Sequence, residues 1–358
     1  MNKSSEIIIE FCAPAHIRKV QAFLHNHWAQ NHILAVDRTL MEWQHADSTQ
    51  NRYSFVIARV PGEDDLCGIL GFISNRQYDP ALADQNTLWL TTWMARPDMR
   101  KSALGIKLLR FLADNEPATA IGTIGNNEQV SGVYAALRYK VGTLNRHAII
   151  NSSLSTYRLL SGTPKPSAHR LTTGTSLKRL QREDLASPEI SELIAGSTPT
   201  KTPAYLVNRY LNHPTYSYDI LGHIENGKPQ AVAIARTCAA EGATALRVVD
   251  YFGPDGAIPS LSLALQAHIE EKRHEYADLY SYGLSEEAFK RSIFQPIPAD
   301  GALILPNYFE PFDPQNTTIR FALKTEAAAF RLFKADADQD RPNQLTPASS
   351  NTNVSQSA

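Results

Sequence analysis

The order in which apolar patterns follow one another constrains the fold of this chain more than any other feature. Between residues 7 and 151, short apolar runs alternate with segments in which apolar residues recur every three or four positions. The first pattern predicts strands and the second predicts amphipathic helices. The predicted order is one strand, two helices, three strands, a helix, a strand, a helix and a final strand pair. This order favours an α/β fold, a mixed sheet with helices on both faces.

The second half of the chain repeats part of this plan. Three successive strands are predicted over residues 216–223, 230–235 and 245–252. A helix, a further strand and a second helix follow, as far as residue 294. Because the two halves share this order without a short repeat period, we expect a duplicated α/β domain rather than a solenoid.

Composition indicates where the two domains begin and end. The first domain is predicted at residues 1–160 and the second at residues 176–325. Between them, residues 161–175 are rich in Ser, Gly, Thr and Pro, which is typical of a linker. Residues 326–358 are predicted to form a disordered tail, because their later part offers almost nothing apolar to bury.

Charge and cysteine content exclude several classes of protein. The chain has 35 basic and 36 acidic residues, so no net field attracts nucleic acid or an anionic membrane. Cys12, Cys67 and Cys238 lie far apart and are typical of reduced thiols in the cytoplasm. No targeting segment or membrane span is evident. The histidines near residues 25–45 lack the spacing of a metal site, so no bound metal is expected.

Residues 88–109 carry the most informative local pattern. A strand runs into a short turn that opens directly into a helix, and Arg100 and Lys101 stand in that turn. The first amides of a helix lack partners within it, and the helix dipole favours negative charge there. Small residues such as Ala103 and Gly105 let this backbone approach a diphosphate. A solvated turn is the alternative interpretation of Arg100 and Lys101.

A second motif follows the next predicted strand, in which Tyr134 stands seven residues after Asn127. Together the two motifs resemble the GNAT superfamily of N-acetyltransferases over about residues 5–151. Its first motif is Arg/Gln-x-x-Gly-x-Gly/Ala, matched by Arg100, Ala103 and Gly105, with Ala103 in place of a glycine. Its second motif is Asn-x-x-Ala-x-x-x-Tyr-x-x-x-Gly-Phe, which Asn127 and Tyr134 match. In that second motif Val130 takes the alanine place, and Arg138 and Tyr139 replace Gly-Phe.

The resemblance implies a site for acetyl-CoA or another acyl-CoA. Backbone amides in the turn and at the start of the helix would hold its diphosphate, and a backbone amide near Met94 would face the oxyanion. Asn127 would hold the arm of the co-substrate, and Tyr134 would protonate the departing thiolate. The residues implied to bind the co-substrate are Met94, Ala95, Arg100, Lys101, Ser102, Ala103, Leu104, Gly105, Ile106 and Asn127.

The residues on the acceptor side follow less directly from the motifs. The family often places a carboxylate on its fourth strand, but residues 89–95 contain none. Glu42 is therefore the predicted general base, with His45 as the alternative and a chain of water molecules as another. His45 and Trp43 are predicted to contact the acceptor, because they lie in the region that walls the acceptor cleft in the family.

Each of these assignments has a structural alternative. Tyr134 lies on the apolar stripe of its helix and could be a core residue, and Asn127 could be no more than a helix cap. The second half lacks the Arg-x-x-Gly-x-Gly pattern, and Asp255 in the corresponding loop would repel a diphosphate. The second domain is therefore expected to be a degenerate GNAT-like domain that does not bind CoA.

The sequence thus predicts a cytoplasmic N-acyltransferase with two GNAT-like domains. It would move an acetyl or short acyl group directly to the amine of a small metabolite, such as an amino sugar of bacterial surface polysaccharide synthesis. One rival is an aminoacyl transferase of the FemABX kind, which uses aminoacyl-tRNA. Another is a non-catalytic CoA-binding or scaffold protein. No nucleic-acid or membrane partner is expected, and a homodimer is an assembly that the sequence leaves open.

Overall fold

The computed structural model describes residues 7–164 and 174–343. Within them, strands form two eight-stranded mixed sheets and one small two-stranded sheet. Helices pack against both large sheets. The predicted class, a two-domain α/β protein, is confirmed.

The strands of the described residues, numbered in chain order, are β1 Ile8–Cys12, β2 Ala46–Asp47, β3 Arg52–Arg59, β4 Leu66–Ser74, β5 Thr87–Ala95, β6 Ala120–Asn126, β7 Lys140–Thr143, β8 Asn145–Ile150, β9 Thr175–Arg179, β10 Asp219–Glu225, β11 Lys228–Ala240, β12 Ala243–Phe252, β13 Tyr276–Tyr282, β14 Gln295–Pro296, β15 Tyr308–Phe309, β16 Phe312–Asp313, β17 Arg320–Thr325 and β18 Leu332–Phe333.

The α-helices of the same residues are α1 Ile17–Phe23, α2 Ile33–Val36, α3 Arg38–His45, α4 Asn75–Tyr78, α5 Leu104–Asn115, α6 Glu128–Ala136, α7 Pro188–Ala195, α8 Pro203–Leu206, α9 Ile258–Lys272 and α10 Glu286–Lys290. Short 3-10 helices span Pro14–His16, Pro80–Gln85, Pro97–Ser102, Asp184–Ala186 and Asp255–Ala257, and π-helical turns span Leu24–Trp28 and Val207–Leu211. None of the described helices is long and apolar enough to span a bilayer.

The first sheet has helices on both faces. Its strand order is β1–β3–β4–β5–β6–β17–β7, with β2 beside β3. Successive side chains of a strand point to opposite faces, and β3 follows this rule. Phe55 and Ile57 pack in the core formed with α1–α3, whereas Val56 and Ala58 pack in the core formed with α5. The two cores enclose the sheet between layers of helix.

The two large sheets each take one strand from the other half of the chain. The second sheet has the order β14–β8–β13–β12–β11–β10–β9, with β18 beside β13. Strand β8 pairs with β13 and β14, whereas β17 lies between β6 and β7. The domain division expected at residues 1–160 and 176–325 therefore does not coincide with the sheets. The strand pair predicted near residues 141–151 is split because Leu144 alone separates β7 from β8, which is too short for a hairpin.

Residues 326–343 differ from the disordered tail expected at the end of the chain. Leu332 and Phe333 are buried and form β18. Asp336 and Asp340 are buried as well, each bonded to a buried cation of the second half. The aspartates, which suggest a solvated tail in the sequence, are counter-ions in a packed interior. Residues 344–358 lie outside the described residues.

The linker predicted at residues 161–175 lies partly outside the described residues, at 165–173. Before that stretch, Ser161 forms a bridge with Ile304. After it, β9 begins at Thr175.

Candidate active site

Strands β5 and β6 run parallel at first and then separate. Their pairing covers Thr87–Leu90 and Ala120–Thr123 and ends there, although both strands continue. Strand β5 also has one extra residue between Leu90 and Trp93 relative to β4. Such a bulge bends a strand and increases its twist. A gap therefore opens between two parallel strands at their carboxyl ends.

A cavity of about 460 Å³ lies in this gap. Its lining comes from the ends of β5 and β6, helix α6, the loop before α2 and the end of the described chain, and comprises Trp28, Ala29, Gln30, Asn31, His32, Thr91, Thr92, Trp93, Thr123, Ile124, Gly125, Asn126, Asn127, Val130, Tyr134, Asp338, Gln339, Arg341 and Asn343. An adjoining groove of about 410 Å³ shares Trp28 and Trp93 and is completed by His27, Met94 and Ala95. The structure thus places Met94 and Ala95 beside the gap.

Helix α5 begins at the predicted phosphate-binding turn. The 3-10 helix Pro97–Ser102 ends at Ala103, which has φ 54° and ψ 26°, and α5 starts with the next residue. A Cβ atom costs roughly 1–2 kcal/mol in this left-handed conformation, which explains the glycine at this place in the family motif. The amides of Leu104, Gly105 and Ile106 open the helix and have no carbonyl partner one turn earlier within it.

Trp93 connects this helix start to the cavity. Its indole Nε1 donates a hydrogen bond of 3.1 Å to the carbonyl oxygen of Gly105. A Cβ at Gly105 would lie 3.0 Å from that nitrogen, so a larger residue would push the indole away. The Ser102 hydroxyl donates to a carbonyl of its own turn. Arg100 and Lys101 belong to the turn through their backbone, and their side chains lie outside the described part of the structure.

Tyr134 lies in the wall of the cavity. Its side chain is 2% exposed, and its ring centroid lies 5.4 Å from that of Trp93 and 5.1 Å from that of Tyr139. Burial raises the pKa of the phenol above its ordinary value, the neighbouring Tyr139 adds to this, and the Thr123 side chain shares a hydrogen bond with it. The phenol therefore keeps its proton at neutral pH. Tyr134 is thus a packed aromatic residue that also lines the cavity.

Asn127 caps helix α6 and also lines the cavity. Its Oδ1 accepts a hydrogen bond of 2.9 Å from the amide of Val130. The capping role considered from the sequence is therefore present in the structure. Asn127 is also exposed and lines the gap, where its side chain can contact a ligand.

Glu42 and His45 lie on α3 and are not among the residues that line the cavity. The Glu42 carboxylate is bonded to Arg38 and accepts a hydrogen bond of 2.6 Å from Tyr53 Oη. His45 is fully buried, its Nδ1 lies 3.1 Å from the carbonyl oxygen of Phe72, and burial lowers its pKa to about 3. The structure therefore does not bring the predicted base or its alternative together with Tyr134.

Trp43 lies between the two halves of the chain, and it too is absent from the cavity lining. Its Nε1 donates to the carbonyl oxygen of Asn208, at 3.2 Å. Its ring centroid lies 4.2 Å from that of His213. Trp43, which was predicted to contact the acceptor, thus contacts the second half instead.

One wall of the cavity, formed by the end of the described chain, is not predicted by the sequence patterns. We define the C-terminal segment as residues 331–343; its residues Asp338, Gln339, Arg341 and Asn343 line the cavity. The weak signal in the sequence was the apolar run around residues 330–333, which precedes the acidic residues. The segment lies more than 200 residues from β5 and β6 in sequence, so no local pattern could place it there.

Three polar atoms on cavity residues are buried and have no hydrogen-bond partner among the described residues. They are Thr91 Oγ1, Asn126 Nδ2 and Gln339 Oε1. A buried polar group without a partner costs free energy unless a ligand or water satisfies it. One amide oxygen, one amide N–H group and one hydroxyl, which can accept or donate, are thus available around the gap. Cys12, Cys67 and Cys238 are buried elsewhere, outside this lining.

Comparison with known proteins identifies the fold. No protein-family model and no curated protein matches the sequence. A GCN5-related N-acetyltransferase from Anabaena variabilis matches the structure with a TM-score of 0.51 and 12% identity, covering 89% of this chain and 72% of that chain. One from Kribbella flavida matches with a TM-score of 0.53 and 10% identity, covering 91% and 72%. The chain has the GNAT fold. The resemblance seen in the two sequence motifs is thereby confirmed for the fold.

In the GNAT-like second half, β12 and β13 form the corresponding parallel pair. Their pairing covers Leu246–Val248 and Ala277–Leu279. Beyond it, β18 pairs with β13, and the amide of Ala335 donates to the carbonyl oxygen of Val249, at 3.1 Å. The C-terminal segment thus fills the place that the cavity takes in the first half.

Proposed function

We propose that the chain is an N-acyltransferase that moves an acetyl or other short acyl group from acyl-CoA to the amine of a small molecule. The observation that carries this proposal is the gap between β5 and β6, which opens beside Tyr134 and the first turn of α5. The GNAT fold supports it, since the matching solved structures are described as GCN5-related N-acetyltransferases.

The residues at the gap fit an acyl-CoA. The amides of Leu104, Gly105 and Ile106 offer donors and a positive helix end to a diphosphate. The unpaired edges of β5 and β6 offer backbone groups to an amide-containing arm, and the groove at Met94 and Ala95 continues from there. The second half does not bind CoA in this proposal, because its corresponding gap is filled by the C-terminal segment.

The reaction needs one new bond, one broken bond and two proton movements. The amine nitrogen forms a bond to the thioester carbonyl carbon, and the carbon–sulfur bond breaks. A backbone amide near Met94 stabilises the developing negative charge on the carbonyl oxygen. Tyr134 gives its proton to the departing sulfur, and its raised pKa keeps that proton available. The proton released by the amine passes to water in the open cavity, because Glu42 lies outside its lining.

Transfer proceeds directly in a ternary complex, because none of the chain's cysteines lines the cavity. The cytoplasm, where acyl-CoA is available, is the location that this function requires. An amino sugar acceptor and a homodimer remain predictions from the sequence.

Calorimetric titration of acetyl-CoA tests where the co-substrate binds. The wild type is expected to bind, and Ala103→Glu is expected to lose binding because its carboxylate repels the diphosphate at the start of α5. Ala113→Glu is the matched control, since Ala113 is exposed on the same helix beyond its first turn and should leave binding unchanged. Equal binding by both variants, or none by the wild type, contradicts the proposed site.

Tyr134→Phe tests the chemistry separately from binding. The variant is expected to keep acetyl-CoA affinity and to lose about 10²–10⁴-fold in turnover, the usual size of one general acid–base contribution. Turnover is followed as release of free CoA thiol. Wild-type turnover in the variant removes Tyr134 from the mechanism. Acetyl-CoA binding without turnover on any amine favours the scaffold rival, and turnover with aminoacyl-tRNA alone favours the FemABX rival.

A further inference from the structure

The C-terminal segment runs from the filled gap of the second half to the open cavity of the first. Two aspartates fix it to the second half. Asp336 Oδ1 lies 2.8 Å from Lys201 Nζ, and Asp340 Oδ1 lies 3.0 Å from Arg236 Nε. Arg209 donates to two backbone carbonyls of the segment. All of these groups are buried, so the path of the segment is held by several charge-assisted hydrogen bonds.

The residues between and after these anchors face the other way, toward the cavity. Asp338 and Gln339 lie between the two anchoring aspartates, and Arg341 and Asn343 follow them. The segment reaches the first half directly, because Arg341 Nη2 lies 3.4 Å from Nε2 of His32. One short stretch of chain is therefore anchored in one half and lines the cavity of the other.

Among the described residues of the lining, Asp338 is the one Asp or Glu and Arg341 the one Lys or Arg. Arg341 donates from Nε and Nη2 to Asp338 Oδ2, at 3.3 and 3.2 Å, and from Nη1 to the carbonyl oxygen of Pro342, at 3.2 Å. The side chains of Arg341 and Asp338 are 9% and 10% exposed. His32 stays neutral, because burial and the adjacent Arg341 lower its pKa to about 4. The wall thus presents one positive and one negative charge in a largely desolvated position, where charge–charge interactions are stronger than in water.

The same wall holds an unsatisfied acceptor. Gln339 Oε1 and, on β5, Thr91 Oγ1 are buried without a partner among the described residues. Both residues line the cavity that holds Tyr134. Two such oxygen atoms can accept hydrogen bonds from the N–H groups of an amine.

We infer that the acceptor is an amine that also carries a carboxylate, an amino acid in the broad sense, and that Arg341 binds this carboxylate. The inference rests on the proposed function and names its substrate class. A guanidinium has paired donors on more than one edge, and each pair matches the two oxygens of a carboxylate. Asp338 holds the Nε and Nη2 edge of Arg341 and orients the group. The substrate carboxylate binds the Nη1 and Nη2 edge, in exchange for the contacts with Pro342 and His32.

The oxygens of Gln339 and Thr91 hold the amine, which attacks the thioester as described above. The C-terminal segment is therefore the element that selects the acceptor.

Asp338 disfavours an acceptor that carries more negative charge than a zwitterionic amino acid does. With the acid and the base side by side, the wall is neutral overall, so a zwitterion matches it better than a phosphate dianion does. An amino sugar phosphate would place two negative charges beside Asp338, and like charges repel strongly in a desolvated site. We therefore expect a zwitterionic amino acid to be a better acceptor than a phosphorylated amine.

The wild-type protein tests the inference without any substitution. Acetyl-CoA-dependent release of CoA thiol is measured with phenylalanine against phenethylamine, lysine against cadaverine, and glucosamine 6-phosphate against glucosamine. The expected result is a kcat/KM at least about tenfold higher for an amino acid than for its decarboxylated partner, as for a site with a dedicated partner group. Three results overturn the inference. They are equal rates for each amino acid and its decarboxylated partner, no turnover of either amino acid, and a preference only for glucosamine 6-phosphate over glucosamine.

Arg341→Met locates the preference on the C-terminal segment. It is expected to remove the preference through a higher KM for the amino acid, with the Kd for acetyl-CoA unchanged, and Arg341→Lys is expected to restore part of it. Arg331→Met is the matched control, because Arg331 lies on the same segment and pairs with Asp255 at 2.8 Å, away from the cavity lining. An unchanged preference in Arg341→Met, or an equal loss in Arg331→Met, overturns the assignment.

Failure of the inference is distinguishable from failure of the proposed function. If the wild type does not bind acetyl-CoA in the calorimeter, the proposed function fails and this inference falls with it. If the wild type binds acetyl-CoA and acetylates simple amines as well as amino acids, the proposed function stands and the inference alone is wrong.

Discussion

The side chain of Gln339 lies directly against Gly125. An ideal Cβ on Gly125 would lie 2.1 Å from Nε2 and 2.3 Å from Cδ of Gln339. Gly125 also has φ 89°, a conformation that other residues rarely adopt. The glycine therefore serves two purposes. It lets β6 turn toward Asn127, and it makes room for the C-terminal segment at the cavity.

Gly125→Ala should displace the C-terminal segment from the cavity. We expect a loss of about 1–3 kcal/mol in the free energy of unfolding, from backbone strain and from overpacking against Gln339. Urea denaturation measures this loss. Gly62→Ala is the matched control, because Gly62 has the same φ of 89° and nothing within 4 Å of its Cβ position.

The double variant Gly125→Ala/Gln339→Ala separates strain from contact. If the contact with Gln339 is destabilising, Gly125→Ala loses more free energy of unfolding than Gly62→Ala does. The double variant then regains this additional loss. Equal losses in Gly125→Ala and Gly62→Ala would show that the contact contributes nothing.

Asp278 should make the protein sensitive to acid. Burial raises the pKa of its carboxyl, but Arg247 and Arg146, at 3.0 and 2.6 Å, outweigh this and lower it from 3.8 to about 2. A carboxyl with a lower pKa in the folded state stabilises the fold above its unfolded pKa and loses that contribution as pH falls. We expect this group to account for roughly 2 kcal/mol lost between about pH 4 and pH 2.

Urea denaturation at several pH values checks the acid sensitivity. Asp278→Asn should be less stable at neutral pH and should show a flatter pH dependence over that range. Asp64→Asn, at an exposed loop position, should keep the wild-type slope. Parallel curves for the wild type and Asp278→Asn would mean that the carboxyl is not held ionised by the two arginines.

Ala103→Gly should stabilise the protein. Ala103 occupies the left-handed region, where a Cβ is unfavourable, so its removal is expected to raise the free energy of unfolding by about 1 kcal/mol. Ala113→Gly, within α5, should instead lower it by about 0.5–1 kcal/mol. Both values come from urea denaturation. If both substitutions changed the free energy of unfolding in the same direction, Ala103 would not occupy the left-handed region.

Removal of β17 should prevent the first half from folding. This strand lies between β6 and β7, so a chain that ends at residue 319 leaves two unpaired strand edges in the first sheet. A chain that ends at Asn343 keeps β17, β18 and the C-terminal segment. We expect cooperative thermal unfolding, followed by circular dichroism, only in the longer chain. A cooperative transition in the shorter chain would show that β17 is dispensable.

Local patterns predict much of the fold and part of the site. The apolar periods identify β5, α5, β6 and α6, and the two motifs place Tyr134 and Ala103 within them. These residues are near one another in sequence, so the geometry of a strand followed by a helix brings them together. The left-handed conformation at Ala103 agrees with the glycine of the family motif.

Long-range pairing is what the sequence does not reveal. Nothing local to β8 or β17 indicates that each belongs to the sheet of the other half. The acidic residues Asp336 and Asp340 suggest solvent, since buried charges become favourable only beside partners such as Lys201 and Arg236. Glu42, the predicted base, does not reach the cavity, because its carboxylate is directed toward Tyr53.

A structure of the protein with bound CoA would show whether the gap between β5 and β6 is the co-substrate site. We expect the diphosphate at the amides of residues 104–106 and the arm between β5 and β6, with its sulfur near Tyr134 and Met94. The corresponding place in the second half should remain filled by β18. CoA bound anywhere else, or an empty gap between β5 and β6 at saturating CoA, would show that this gap is not the acyl-CoA site.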